Sequence, residues 1–331
     1  MGVVAEKWLA RYRSEFTSYE RAADEVRQQL EDALSGRAHG VQMIDVRAKD
    51  PDSAAEKISR KAYGRPAQQM TDILGARVVT LFDHSIEQAG DILKRRFQEM
   101  PQYSVNKTDG LGPGEVGYRS VHLVLKPKPT GLEDVKEVLR IAVVEVQIRS
   151  VISHAWAEIE HSFRYKAGDS VPQPLKRRFD ALAGALELID REFSSIASDL
   201  VDHVRELQSA YHSGSGLEEK LSSLRLLGAL SEGLRDAPKL GPDGLSLEIE
   251  DADRLVGVLQ QVDVLTVQDL MSALTRPETL NVVRRYADAS GHDIDGASAI
   301  VYLGAIVGNR DPGLLQRTRR LHDSVLISAL R

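Results

Sequence analysis

Residues Ile141 to Lys166 read IAVVEVQIRSVISHAWAEIEHSFRYK, and the chain is organised around them. The first half alternates. Ala142, Val144, Val146 and Ile148 fall on one face of a strand, and Glu145, Gln147 and Arg149 fall on the other. At Ile152 the period changes: Ile152, Ala155, Trp156, Ile159 and Phe163 follow helical spacing, while His154, Glu158 and His161 gather on another helical face. A strand thus runs straight into a helix. A carboxylate, an amide and a guanidinium in line on a sheet face suit a bound polyphosphate and its metal. An antiparallel sheet with one face in water gives the same alternation, so the rest of the chain has to decide.

The 331 residues suffice for two domains and a sizeable core. A hydrophobic content of 42% and a charged content of 28% are those of an ordinary soluble globular protein. No apolar run is long enough to cross a bilayer, and the first residues (MGVVAEKWLARYRSEF) lack the apolar core of a signal peptide. Glu6 stands where a myristoylation signal needs Ser or Thr. With no cysteine, disulfides, thiolate metal sites and a Cys nucleophile are excluded, and a reducing cytoplasm is the expected location. A net charge of -6 argues against bulk nucleic-acid binding but leaves room for a local basic pocket.

Such a pocket begins near residue 47. Residues 3–35 read as one helix, with Trp8, Leu9, Tyr12, Phe16, Tyr19 and Ala23 as its core-facing stripe, ended by Gly36, His39 and Gly40. Asp50 then suits an N-cap and Pro51 the first helical position. Ser53 falls in the first turn, where free backbone N–H groups and the helix dipole favour an anion. Lys57 and Arg60 follow at i+4 and i+7, and Arg47 and Lys49 flank the entry. These donors suit phosphate oxygens, although a solvated basic helix face reads the same way.

Residues 72–82 form an apolar strand with Asp72 at its start and Arg77 inside it, a position that calls for a partner or a site. Asp72 and Arg77 have opposite parity, so they share a site only if the strand kinks, and Gly75 is the candidate bulge. Residues 85–98 make an amphipathic helix, and residues 106–116 a Gly/Pro-rich loop without phosphate-loop spacing. In the strand Tyr118 to Leu125, Tyr118, Ser120, His122 and Val124 share a face. The Tyr ring suits base stacking, or simply a half-buried strand position.

Beyond Lys166 the chain reads as helices near 173–211, 217–235, 250–261, 266–274, 277–289, 294–307 and 312–330, with a linker at Ser213–Gly216. The fold class is therefore α+β: a mixed sheet flanked by helices, then an all-α C-terminal region. Its domains are expected at 1–212 and 217–331. His292-Asp293 and His322-Asp323 lack further ligands at helical spacing and read as surface residues. The His154, Glu158, His161 spacing is not that of a zinc hydrolase, and no nucleophile elbow is present. Two carboxylates with basic phosphate clamps are instead what Mg²⁺-dependent phosphoryl or pyrophosphoryl transfer requires.

RAKDPDSAAEK (47–57), TDILGARVV (71–79), GYRSVH (117–122) and VEVQIRS with HAWAEIEHSFRYK (144–166) resemble, in order and spacing, the motifs of the RelA/SpoT alarmone synthetase domain. The likeness covers about residues 40–170 and is nearest to the small stand-alone synthetases. It implies a nucleotidyltransferase-like fold and transfer of the β,γ-pyrophosphate of ATP to the 3′-hydroxyl of GDP or GTP. By that resemblance Asp72 and Glu145 hold Mg²⁺, and Glu145 takes the hydroxyl proton. Arg47 and Arg77 sandwich the adenine, Lys49, Ser53, Lys57 and Arg60 grip the ATP phosphates, Tyr118 stacks on the acceptor guanine, and His122, Gln147 and Arg149 orient the acceptor. One departure stands out. Where the family usually has Pro-Lys-x-Asn before Gly-Tyr, this chain has Pro113-Gly114-Glu115-Val116, without the Lys and Asn that serve the acceptor. Relatives of toxin type that act on adenine nucleotides or on the 3′ end of tRNA therefore stay open, as does a non-catalytic nucleotide sensor. The helices after residue 217 are expected to regulate the enzyme, bind a protein partner such as an antitoxin, or form a homo-oligomer, or else simply to extend the fold.

Overall fold

The computed structural model describes residues 2–34, 40–106, 120–167, 172–234, 249–290 and 299–317. By its internal contacts the chain divides into Met1–Ser195 and Ile196–Arg331.

In the first unit, helices α1 (Val3–Ser14) and α2 (Phe16–Leu34) lead into strand β1 (Val41–Ala48) and helix α3 (Pro51–Lys61). A short α4 (Pro66–Gln69), β2 (Leu74–Thr80) and α5 (His84–Arg96) follow, then the two-residue strands β3 (Gln98–Glu99) and β4 (Val105–Asn106). Strand β5 (Val121–Lys126), α6 (Glu133–Ile141), β6 (Val144–Ser150) and α7 (Val151–Ala167) follow, and α8 (Gln173–His212) contains the boundary between the units.

The sheet order is β1-β2-β6-β5-β3, with β4 also on β5. Strand β2 runs parallel to β6, and the other pairings are antiparallel, so the sheet is mixed. Along β6 every second residue is buried: Val144, Val146 and Ile148 lie against the core, and Glu145, Gln147 and Arg149 face the opposite side. Each of the three apolar side chains contributes about 2 kcal/mol by leaving water. That shared core takes in Leu30 of α2, Leu93 of α5 and Leu139 of α6, so these helices cover one sheet face only. The other face is left for chemistry.

Four expectations are corrected. The single helix over 3–35 is two helices, broken at Glu15; the bend closes Trp8, Tyr12, Phe16 and Tyr19 into one aromatic cluster. Gly75 is not a bulge, because β2 and β6 pair in unbroken register from Leu74 to Thr80. Asp72 lies in the turn before β2, so strand parity does not bind it. The apolar stripe of α7 is only half inward: Trp156 is buried, whereas Ile159 and Phe163 are about half exposed, Phe163 meeting Phe179 edge-on. Strand β1 and helix α6 had no counterpart in the sequence reading. Strand β1 is an edge strand whose register shifts between Val41 and Met43, which blurs the alternation.

Helix α1 is tied to the basic segment through Tyr12, whose hydroxyl donates to the Lys49 carbonyl. The ring is almost fully buried. Tyr12→Phe leaves that carbonyl without its donor and is expected to cost about 1 kcal/mol in urea unfolding; an unchanged midpoint would refute the tie.

The second unit is helical, with α9 (Ser223–Gly233), α10 (Ile249–Gln260), α11 (Val267–Leu274), α12 (Pro277–Ser290), α13 (Ala299–Arg310) and α14 (Pro312–Arg317). Leu226, Leu230, Leu259, Leu270, Val283 and Ile306 form its centre. The turn after α8 uses Gly214 and Gly216 at φ 79° and 72°, conformations that favour glycine. Among the described residues no helix is long and apolar enough to cross a membrane. His292, Asp293, His322 and Asp323 lie outside the described residues.

Candidate active site

Strand register builds the site row by row. Across the open sheet face, Asp45 of β1 stands beside Arg77 of β2, Arg77 beside Gln147 of β6, and Gln147 beside His122 of β5. The next row is Arg47, Gly75, Glu145 and Val124. Asp45, Arg47, Lys49, Asp72, Gly75, Arg77, Glu145 and Gln147 line one pocket. Gly75 is its open floor, since a Cβ there would meet nothing within 4 Å. Both acids and three of the expected donor-binding cations therefore meet.

A second cavity continues from the first, sharing Lys49 and Asp72 and adding Ser53, Lys57 and Arg60 from α3. The local fold follows the sequence: Asp50 caps α3 by accepting from the N–H groups of Asp52 and Ser53, and Pro51 opens the helix. That cap alters one expectation. The Ser53 N–H is already taken, and its hydroxyl also bonds the Asp50 carboxylate, so a phosphate at this turn would have to draw the hydroxyl away from Asp50. The same backbone bonds hold the Asp50 carboxyl below its ordinary value.

Asp72 is the hinge between the cavities. Its Oδ2 accepts from Lys49 Nζ at 2.9 Å and Lys57 Nζ at 2.7 Å, and all three side chains are only 19–21% exposed. Its Oδ1 is buried without a hydrogen-bond partner. One oxygen thus neutralises the lysines while the other is left orphaned.

Glu145 is held differently. Thr71 Oγ1 donates to Oε2 at 3.1 Å, Gln147 Nε2 approaches Oε1 at 3.5 Å, and His122 Nδ1 stands 3.6 Å from the same oxygen. His122, then Thr71 and Gln147, hold the Glu145 carboxyl at about 2, against burial, which pushes it up. At 3.6 Å the imidazole acts as an electrostatic neighbour more than as a full hydrogen-bond donor. Glu145 is therefore ionised throughout the physiological range.

This depression links to stability with a definite sign. The folded pKa, about 2, lies below the ordinary 4.5, so the contribution of Glu145 is complete above pH 4.5 and is lost as pH falls toward 2. Its size is about 3 kcal/mol. His122→Ala is expected to be less stable than wild type at pH 7 by about 1 kcal/mol. That gap should narrow on acidification toward pH 2, as Glu145 takes up its proton in both proteins. Urea unfolding followed by circular dichroism at several pH values checks this, and a constant gap would show that His122 does not set the Glu145 charge.

Arg77 reaches Glu158 of α7 at 2.9 Å. Both side chains are more than a third exposed, so the pair is worth under about 1 kcal/mol and positions Arg77 without locking it. Burial, then the nearby Arg77, lowers the Arg149 guanidinium, and Glu158 opposes the shift. Arg149 shares the face of Glu145 but does not line the pocket that Glu145 lines. His122 borders a separate cavity with Glu87, Asp91 and Ser104, its Nε2 buried without a partner, and Tyr118 lies outside the described residues, as does the 113–116 departure. Sequence reasoning missed Thr71 and Asp45. Thr71 adjoins Asp72, and Asp45 stands two residues before Arg47, a signal legible only once β1 is known to be a strand.

Comparison with known proteins adds findings of three kinds. The model for a region found in RelA / SpoT proteins matches residues 46–170. The chain is 31% identical over 173 residues to GTP pyrophosphokinase YjbM of Bacillus subtilis (strain 168), spanning 52% of this chain and 77% of that protein. GTP pyrophosphokinase YwaC of the same organism is 26% identical over 162 residues, spanning 46% and 72% respectively. Among solved structures, the small alarmone synthetase 1 from Bacillus subtilis matches with a TM-score of 0.48 and 27% identity, over 57% of this chain and 97% of its own.

Proposed function

The chain belongs to the RelA/SpoT family, and on that premise we propose that it is an ATP-dependent pyrophosphotransferase that moves the β,γ-pyrophosphate of ATP to the 3′-hydroxyl of GDP or GTP. One observation carries the reading: Asp72 and Glu145 line a pocket that opens into a mouth of Lys49, Ser53, Lys57 and Arg60. An acid pair joined to a cationic channel suits a nucleoside triphosphate whose tail lies among the cations.

The residues fit Mg²⁺. The orphaned Asp72 Oδ1 and the permanently charged Glu145 are hard oxygen donors, and two carboxylates plus substrate phosphates are a usual magnesium environment. Bound there, the ion would neutralise phosphate charge. The chain's own residues do the rest. Lys49 and Lys57 turn from Asp72 toward the incoming phosphates, which frees Oδ2 at the moment the triphosphate arrives. Arg60 and the Ser53 hydroxyl hold the tail, and Arg47 and Arg77 flank the adenine with planar guanidinium groups that stack on flat rings. Gln147, Arg149 and His122 border the acceptor side. A carboxylate at about 2 is a weak base at neutral pH, so Glu145 serves chiefly by fixed charge, and proton uptake from the 3′-hydroxyl is its lesser part.

A panel of acceptors tests this. With ATP and Mg²⁺, the protein is expected to release AMP in the presence of GDP or GTP. Pro113-Gly114-Glu115-Val116 in place of the family's Lys and Asn favours a second reading, with an adenine nucleotide or the 3′ end of tRNA as acceptor. AMP release with only those acceptors would establish that reading, and none with any acceptor would overturn both.

A further inference from the structure

Asp45 lines the donor pocket together with Arg47 and Arg77, and neither the phosphate-gripping groups nor the acid pair makes use of it. It is the register partner of Arg77, yet the Arg77 guanidinium pairs with Glu158 instead. Asp45 is half-buried, and among the described residues its carboxylate makes no ion pair or hydrogen bond. A carboxylate that shares a pocket with two arginines and pairs with neither is available to something that enters the pocket. We propose that the Asp45 carboxylate accepts a hydrogen bond from the 6-amino group of the donor base and so selects adenine over guanine. This rests on reading the pocket as a nucleoside triphosphate site.

Two other roles for Asp45 fit less well. Among the described residues no three acids or histidines lie close enough together to share a cation, so Asp45 is not a third ligand beside Asp72 and Glu145. Acids on edge strands also discourage strand addition, but such residues point to solvent, whereas Asp45 lines the pocket. Its position along the strand suits a base. Lys49, at the phosphate end, lies four residues further on, about 13 Å in extended chain. Between the two ends lies the bare floor at Gly75. A ring held there by Arg47 and Arg77 turns its edge toward Asp45.

The chemistry then discriminates. An ionised carboxylate only accepts hydrogen bonds. Adenine offers an amine at position 6, whereas guanine offers a carbonyl oxygen, another acceptor, which the carboxylate repels. A site built to bond a polar group rejects an analogue without that group, because its own buried group is then left unpaired.

The test compares donors with the acceptor held at saturation: ATP, GTP, and purine riboside triphosphate, which has the same ring system without the 6-amino group. Nucleoside monophosphate release gives kcat/KM for each. Wild type is expected to prefer ATP over the purine analogue by about 10²-fold, and over GTP by more. In Asp45→Asn, whose amide donates as well as accepts, the ATP-over-GTP preference should fall about tenfold or more, mostly through the donor KM. The donor series on wild type needs no variant, so a folding defect does not blunt the test. Equal use of ATP and the purine analogue by wild type, or an unchanged ATP-to-GTP ratio in Asp45→Asn, would overturn the role of Asp45 while the enzyme reading stands. A protein that releases no AMP from ATP with any acceptor would overturn that reading, and the inference with it.

Discussion

Glu145→Gln is expected to lower pyrophosphate transfer about 10³-fold or more, with a loss of stability of at most about 3 kcal/mol, the contribution of the charge it removes. The amide matches the carboxylate in size and still accepts from Thr71, so the packing around β6 is kept. What disappears is a negative charge that His122, Thr71 and Gln147 maintain at every working pH. A neutral amide neither holds a hard divalent cation well nor accepts a proton. The pH profile of wild type sharpens the point. Because Glu145 sits at about 2, any acid limb in the rate above pH 4 belongs to another group. A limb that shifts in Glu145→Gln would mean that Glu145 works as a base tuned near neutrality, contrary to this account.

Asp72→Asn has the second largest effect, and it touches stability as well as rate. Wild type places two ammonium groups on one carboxylate oxygen, with about a fifth of each side chain exposed. Neutralising that oxygen leaves two like charges facing each other with poor access to water. The expected loss is about 2 kcal/mol, seen as a melting temperature lower by several degrees. Activity should fall about 10²- to 10³-fold as the proposed cation site loses one of its two carboxylates. A further consequence separates this from a generic packing defect. In the variant the lysines no longer have to leave Asp72 to meet a phosphate, so ATP without metal should raise its melting temperature more than it raises that of wild type. An equal rise in both would show that the lysines do not exchange Asp72 for the triphosphate.

Much of the site is legible in the sequence because it rests on strict periods. The two-residue alternation of Val144 to Ser150 put Glu145, Gln147 and Arg149 on one face, and the burial of Val144, Val146 and Ile148 follows from it. Asp50 and Pro51 announce the start of α3 by local chemistry alone. Features set by neighbours rather than by period were harder to read. Strand β1 is an edge strand with an irregular register and half-exposed residues, so its alternation is faint, and Asp45 was missed with it. The parity conflict between Asp72 and Arg77 has a topological solution, a turn before β2, that no local pattern of residues specifies. The break at Glu15 has no proline or glycine to announce it, and the contacts of Tyr12 with Phe16 and Tyr19 across it show only in the structure. The pairing of Arg77 with Glu158 joins positions 77 and 158, on a strand and a helix far apart in sequence.

On the proposed reading, Asp72 and Glu145, with the cationic mouth of α3, move two phosphates as one unit. Phosphorus NMR of the products formed from ATP and GDP tests it most directly. AMP and an intact diphosphate on the acceptor ribose are expected in equal amounts, both absent with Glu145→Gln. Formation of ADP, or of free pyrophosphate with the acceptor unchanged, would contradict it.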